Sequence, residues 1–384
     1  MFRLRLPRQY FCLSRFFNRL YLERFPILLS HYNSPPKLIL IMKALLLREY
    51  NHLEIADVAQ PQPATGEVLI RIKACGVCGS DVHGYDGGSG RRIPPLVMGH
   101  EAAGIVAQVG TGVADLHPGD RVTFDSTISC GECFYCRRAQ VNLCEERQVL
   151  GVSCGEYRRA GAFAEYVVVP RRIVYTLPDS LSFEHAATIE AVSVAVHAVA
   201  LTPIALNDTA LVMGAGMIGL LALQVARLAG CRRIISVDTD ETRLQIARQL
   251  GATDVLNAQS ENVIERVRAL TLGRGADVAF ECVGAQGTVE SAIEGTHKGG
   301  AVTLVGNIAQ RVEIPLQSVV TRQIRLQGSC ASSGEIAACI DLLASGAIQV
   351  QPMLSVVAPL EDGPLLFQRL HDREPNLMKV VLTP

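Results

Sequence analysis

The sequence predicts an α/β chain in which a β-rich, barrel-like domain is interrupted by an inserted, doubly wound parallel-sheet domain. Three observations predict it. Short β runs between Gly and Pro turns fill the stretch from Met42 to about Val168. Strand and helix patterns then alternate from Asp208 onward. A last strand, Lys379-Val380-Val381-Leu382, follows that alternation and reads as a return to the first domain. At 384 residues the chain is long enough for two ordinary domains, and its 49% hydrophobic content supplies their cores. A formal net charge of −1 offers nothing to nucleic acid or to an anionic membrane surface. No apolar run reaches the ~18 residues that a membrane span requires.

Taken in order, residues 1–41 stand apart. Arg3, Arg5, Arg8, Arg15, Arg19 and Arg24 are interleaved with Phe, Leu and Tyr, and Glu23 is the one acid. This segment reads as an extension outside the fold, possessing no visible chemistry, with an organelle-targeting segment as the alternative. Residues 42–193 form the first domain, with strands over 68–72, 103–109, 121–124 and 164–168. Residues 194–328 form the inserted sheet domain, and residues 329–384 return to the first, which sets the active site in the cleft between the two.

The first domain carries two candidate metal centres. In Cys75-Gly-Val-Cys78-Gly-Ser80-Asp-Val-His83, followed by Gly99-His100-Glu101, a thiolate from Cys78, an imidazole from His100 and a carboxylate from Glu101 or from elsewhere suit a borderline-soft cation such as zinc. Three protein ligands leave one position open, the mark of a catalytic site. Cys75 reads as a packed thiol, and Arg91 and Arg92 as a solvated basic pair. Cys130, Cys133, Cys136 and Cys144 have the spacing C-x2-C-x2-C-x7-C, which can close tetrahedrally on a second zinc with no position left over. With twelve cysteines, one tight cluster among them and no cleavable signal pattern, a reducing compartment, the cytoplasm, fits better than a disulfide framework.

Ser182 is placed to cap a helix running from Glu184 to His197. Within it, Glu190 lies among small apolar residues, where an ionised carboxylate is costly unless it is paired or bound to metal. Glu190 is therefore a second candidate acid for the zinc pocket.

The run Asp208–Met213 reads as a buried strand, followed directly by Gly214-Ala215-Gly216-Met217-Ile218-Gly219 and a helical pattern to Ala229. Between a strand and a helix these glycines allow a tight turn and let a pyrophosphate approach the helix N-terminus, with Met217 and Ile218 opening the helix. The next strand, 233–237, ends in Asp238, about 20 residues on, where an acid takes the adenosine ribose hydroxyls and repels a 2′-phosphate. That favours NAD over NADP, with Arg243 close by. Strands at 254–256, 277–283, 301–305 and 323–327 complete a six-stranded sheet with its helices, and helices over 334–345 and 361–373 precede the last strand.

These residues resemble the zinc-containing medium-chain dehydrogenase/reductase family, and most closely its sorbitol (polyol) dehydrogenase type. The resemblance covers residues 42–384 and rests on Gly99-His100-Glu101-Ala102-Ala103-Gly104 with Gly110 and Val113, on the four-cysteine lobe and on the glycine loop. It implies a GroES-like catalytic domain with an inserted Rossmann domain. It also implies a catalytic zinc on Cys78, His100 and the Glu101 carboxylate, with Glu190 close by directly or through water, and a structural zinc on Cys130, Cys133, Cys136 and Cys144. Polyol-type members read Glu-Pro-x-Ser where this chain has Glu190-Ala191-Val192-Ser193. The implied reaction is hydride transfer from a secondary alcohol to NAD+, giving a ketone, with Ser80 and His83 at the proton-relay positions and Gly214, Gly216, Gly219, Asp238 and Arg243 on the cofactor. The expected partner is a small alcohol or polyol, and the resemblance implies a homodimer or homotetramer. Threonine or sugar-alcohol-phosphate oxidation within the same family is the neighbouring reading. An NAD-binding redox sensor is the non-enzymatic one.

Overall fold

A mixed sheet that takes in the C-terminal strand and a separate six-stranded parallel sheet organise the fold. The computed structural model describes residues 40–384; the reading of residues 1–39 as an extension or a targeting segment lies outside the described residues. Strand Ile41–Glu49 pairs antiparallel with His52–Ala59 and with Leu96–Val97. Beside them, the larger sheet of the first domain runs in the order Val174–Thr176, Arg121–Phe124, Glu101–Val109, Glu67–Gly76, Lys379–Thr383, Leu354–Pro359, and Tyr166–Pro170 also pairs with Glu67–Gly76. The C-terminal strand Lys379–Thr383 is thus an interior member of a sheet begun some 300 residues earlier. Alternating side chains from these strands bury Leu45, Leu47, Ile70, Ile72 and Phe124; Phe163 joins them from the loop before Tyr166–Pro170, and Phe367 from the helix Gly363–His371.

The second sheet has six parallel strands in the order Asp254–Asn257, Arg233–Asp238, Thr209–Met213, Ala276–Glu281, Thr296–Leu304, Arg325–Gly328. Numbered along the chain this is 3-2-1-4-5-6, the doubly wound order whose switch point lies beside the first strand. Helices Met217–Leu228, Glu241–Gln249, Val263–Leu270 and Gln286–Gly295 connect the strands. The α/β class and the parallel sheet agree with the sequence reading.

Several elements differ from it. The helix expected over Glu184 to His197 is two helices, Phe183–Ala186 and Ile189–Ala200. Ser182 caps the first, its Oγ accepting from His185 N at 3.2 Å, but the Thr188 hydroxyl donates back to His185 O at 2.7 Å and closes the turn. Glu190 consequently stands in the first turn of the second helix. The strand Leu354–Pro359 had no sequence counterpart, because its exposed positions include Val357 and Pro359 and so break the apolar–polar alternation. The helix Val263–Leu270, capped by Asn262, and the helix Leu316–Thr321 are additions to the elements that the sequence pattern predicts.

Phe163 ties the first core to the site. It is fully buried, meets the Phe367 ring edge-on at 5.6 Å between centroids, and its backbone O accepts from Leu45 N at 2.8 Å. It also lies directly behind Gly99, where a Cβ would come within 2.8 Å of its Cγ. Phe163→Ala should cost about 3–5 kcal/mol in a urea melt, the range for emptying a buried aromatic position; a loss below ~1 kcal/mol would show that this core is not what supports Gly99.

Candidate active site

Strand pairing brings the first donor set together. Gly76 stands opposite Glu101 in the antiparallel pair of Glu67–Gly76 with Glu101–Val109. Two residues beyond Gly76, Cys78 caps the helix Gly79–Tyr85. Gly99, with φ at +95°, makes the turn that delivers His100. The donor atoms of Cys78, His100 and Glu101 lie within 4.8 Å of one another, with His100 and Glu101 buried and Cys78 half-buried. This set fits zinc: one soft thiolate, one imidazole and one carboxylate converge in a dry pocket. The His100 imidazole is driven well above its ordinary pKa; burial opposes its charge, but Asp81 and Cys78 outweigh burial. A histidine ligates through a neutral imidazole, so a cation bound here would displace that proton.

Around these three is a layer of buried charge. Asp81 is fully buried; its Oδ1 accepts from Arg92 Nη2 at 3.0 Å and Nε at 3.2 Å, and lies 3.4 Å from His100 Nδ1. That His100 nitrogen has no hydrogen bond of good geometry, so Asp81 acts on it mainly through charge. Arg92 is 4% exposed, which corrects its reading as half of a solvated pair: the charge is consumed by Asp81, eleven residues back, and by Ser80 Oγ at 3.2 Å. Lys379, 2% exposed, donates to Glu101 Oε2 and to Val77 O at 3.0 Å.

Glu190 faces this group from outside the three-donor set. Its Oε1 accepts from Ser126 Oγ at 3.4 Å. Its carboxyl is pushed up to about 7, chiefly by burial, with Glu101 and Asp125 adding and His100 and Lys379 opposing. Ser80 and His83 are both exposed on the helix Gly79–Tyr85. Cys75 is buried with its thiol pushed well up by burial, as a packed thiol should be.

The second donor set consists of Cys130, Cys133, Cys136 and Cys144, again within 4.8 Å of one another. Cys130 N donates to Cys144 Sγ at 3.3 Å and Cys133 N to Cys130 Sγ at 3.4 Å, the backbone-to-sulfur bonds that a thiolate centre uses. The Cys133 thiol is pulled down to about 6 by backbone N–H groups of Cys136 and Glu145. The described cysteines are free thiols.

At the switch point of the parallel sheet, Gly214 has φ at +91° and Gly216 caps the helix Met217–Leu228. A Cβ on Gly219 would lie 1.8 Å from Gly214 O, so only glycine lets the helix approach its strand here. Asp238 Oδ2 accepts from Ala215 N at 2.7 Å, which aims the carboxylate along the glycine loop. Met217 and Ile218 are half-buried and pack on the core beneath the loop. The Arg243 N–H donates to Asp240 at 3.1 Å in the cap of the next helix. Sequence reasoning missed Asp81, Arg92, Asp125, Ser126 and Lys379; the one available sign was the density of ionisable residues next to the Cys and His motifs.

Two family models match the chain: the alcohol dehydrogenase GroES-like domain over residues 64–179 and the zinc-binding dehydrogenase domain over residues 218–345. Sorbitol dehydrogenase of Bacillus subtilis is 33% identical over 89% of this chain and 97% of its own length. The L-idonate 5-dehydrogenase of Vitis vinifera is 36% identical over 79% and 84%. The chain belongs to the zinc-binding alcohol dehydrogenase family. Solved structures agree: a Thermus alcohol dehydrogenase superposes with a TM-score of 0.82 at 34% identity, covering 89% of this chain and 99% of that one. A zinc-binding dehydrogenase of Sinorhizobium meliloti, bound to NADP, does so with a TM-score of 0.83 at 34% identity over 90% and 99%. As a member of this family, of the sorbitol dehydrogenase-like type, the chain is an oxidoreductase acting on CH–OH groups. Among the described residues no helix of this dehydrogenase is long and apolar enough to cross a membrane.

Near the site the dehydrogenase also buries Asp125, 6% exposed, whose carboxyl is pushed up to about 6, mainly by burial, with Thr127 opposing and Glu335 adding. A raised carboxyl stabilises the fold below its unfolded pKa, and that contribution is lost as pH rises through about 6. Asp125→Asn, which keeps the acceptor for Thr127 N, should therefore leave stability unchanged near pH 4. Near pH 8 it should gain on the order of 2 kcal/mol, as measured by chemical denaturation at both pH values.

Proposed function

We propose that the chain is an NAD-dependent dehydrogenase that oxidises a secondary alcohol of the polyol class to a ketone. The observation that carries this reading is the convergence of Cys78, His100 and Glu101 with Glu190 standing just outside them. In it, Cys78, His100 and Glu101 hold a catalytic zinc, and Cys130, Cys133, Cys136 and Cys144 hold a structural one. Zinc, when bound, supplies a Lewis acid that can lower the pKa of a coordinated hydroxyl from about 16 to about 7. The remaining work falls to side chains. Glu190, its carboxyl near 7, can hold or release a proton beside the reacting hydroxyl at neutral pH. Ser80 and His83, exposed on one short helix, pass the alcohol proton to solvent. Gly214, Gly216 and Gly219 admit the dinucleotide to the helix opened by Met217 and Ile218, and Asp238 takes its ribose hydroxyls, with Arg243 over the adenine. NAD supplies the hydride acceptor.

Several observations support the finer reading. Arg92 is committed to Asp81 and Ser80 and so is not free for a substrate phosphate, which favours an unphosphorylated polyol over the phosphorylated class acted on by the D-arabitol-phosphate dehydrogenase of Enterococcus avium, 33% identical to this chain. The functional division is residues 42–193 and 329–384 around the inserted residues 194–328. A homodimer or homotetramer is supported by the edge strand Arg325–Gly328, which has an open side near exposed Leu316 and Val320. A cytoplasmic setting suits the free thiols of both donor sets.

Polyols, amino alcohols, simple secondary alcohols and sugar phosphates, assayed by NADH absorbance, should rank with an unphosphorylated polyol first. Cys78→Ala should lower kcat by at least about a thousandfold, several kcal/mol of barrier, and remove one zinc equivalent while the four-cysteine lobe keeps the other. Undiminished turnover would point to a silent dinucleotide binder instead. Comparing kcat/KM for NAD and NADP tests Asp238: a preference for NADP, the cofactor of the Sinorhizobium structure, would remove the role given to that carboxylate.

A further inference from the structure

The helix Ile189–Ala200 carries two ionisable residues on one face. Glu190 and His197 are seven residues apart, two helical turns, or about 10 Å along the axis. Glu190 meets the zinc pocket. His197 meets an unrelated set of groups.

His197 Nδ1 lies 2.6 Å from Glu335 Oε1 and its Nε2 lies 3.3 Å from Asn142 Nδ2. Asn142, buried in the turn Val141–Leu143, gives its other amide proton to Cys330 O at 2.8 Å. Both protons of that amide thus have acceptors, which makes Nε2 of His197 an acceptor and places the ring proton on Nδ1, donated to Glu335. Glu335 is itself fixed, its Oε2 accepting from Ser333 N, and Ser333 Oγ donates to Ala139 O at 2.7 Å. Arg147 closes the loop, its Nη1 donating to Asn142 O at 2.5 Å and reaching Cys330 Sγ at 3.1 Å. One chain of directional bonds therefore joins the loop that ends in Cys144, the segment Cys330–Glu335 and the helix that bears Glu190.

Ile189, Val192, Ala195 and Val199 seat this helix in the core, and the polar contacts of His197 add direction to that seat. Bonds to both nitrogens of His197 hold the rotational setting of the helix, and with it the direction in which Glu190 projects seven residues earlier. We propose that His197 and Glu335, seated on Asn142, are positioning residues that aim the Glu190 carboxyl at the Cys78, His100 and Glu101 group. This inference rests on the role given above to Glu190.

The test is a double-mutant cycle on the full-length, zinc-loaded enzyme, with sorbitol and NAD+ as probes. Glu190→Gln should lower kcat at least about tenfold. Glu335→Gln should lower it about three- to tenfold, with the KM for NAD+ and the content of both zinc ions unchanged. In the Glu190→Gln background, Glu335→Gln should have no further effect on kcat, because the group it aims is already gone. Multiplication of the two single effects would overturn the proposal while leaving the role of Glu190 intact. A silent Glu190→Gln would overturn that role and the proposal with it. If Glu335→Gln does not fold, His197→Gln enters the same cycle and is read by the same criterion.

Discussion

Between the last strand and the loop that holds His100 lies one buried ion pair, Lys379 with Glu101, 278 residues apart in sequence and both nearly inaccessible to water. Their strands do not pair with each other. Each pairs with Glu67–Gly76, Glu101 opposite Gly76 and Val381 opposite Gly76 from the other side. The two side chains meet across that glycine, where a Cβ would come within 2.6 Å of Glu101 Oε2 and 3.0 Å of Lys379 Cε. Any larger residue at position 76 would displace the pair. The pair matters less for stability, since desolvation consumes much of its Coulomb energy, than for what it leaves behind. It occupies Glu101 Oε2 and holds the carboxylate beside Cys78 and His100.

The same arithmetic of buried charge extends outward. Lys379 and Arg92 are the cations of the pocket; Glu101, Asp81, Glu190 and Asp125 are its acids, Cys78 adds a thiol and His100 an imidazole. Each cation is already committed to an acid, Lys379 to Glu101 and Arg92 to Asp81. Glu190 is left without a cation of its own beside Glu101 and Asp125, which adds to the burial that chiefly pushes its carboxyl up; Asp125 is raised chiefly by burial as well. A dry pocket with uncompensated anionic donors is an unfavourable state that a divalent cation relieves. The fit to zinc thus follows from the environment as well as from the ligand types.

Local patterns in the sequence were sufficient for the parts of this design that are local. Cys130, Cys133, Cys136 and Cys144 close on one point because three of them are separated by two residues each. The glycine loop is legible because strand, turn and helix follow directly from Thr209 to Leu228. Spacing fails where a charge finds its partner through the fold. Arg92 looked solvated beside Arg91, and nothing near it in the chain marks the burial of Asp81. Lys379 opens a strand that was recognised, yet its orientation toward Glu101 is set by a sheet whose other strands lie hundreds of residues away. The break at Ala187 and Thr188 is another such case: helix propensity runs unbroken from Glu184 to His197, and one side-chain hydroxyl returning to His185 O is enough to restart the helix at Ile189.

That restart bears on how the two donor sets relate. A four-thiol centre has no open position and does no chemistry, so its contribution must come from what its lobe touches. The lobe touches the helix Ile189–Ala200 at His197 through Asn142, two residues before Cys144. Had the helix begun at Glu184, Glu190 would lie in its second turn, its backbone N–H already engaged within the helix. Beginning at Ile189, the helix puts Glu190 in the first turn, where the positive end of the helix dipole favours a carboxylate. The break sets where along the axis the acid sits, and the contact at His197 sets which way it faces.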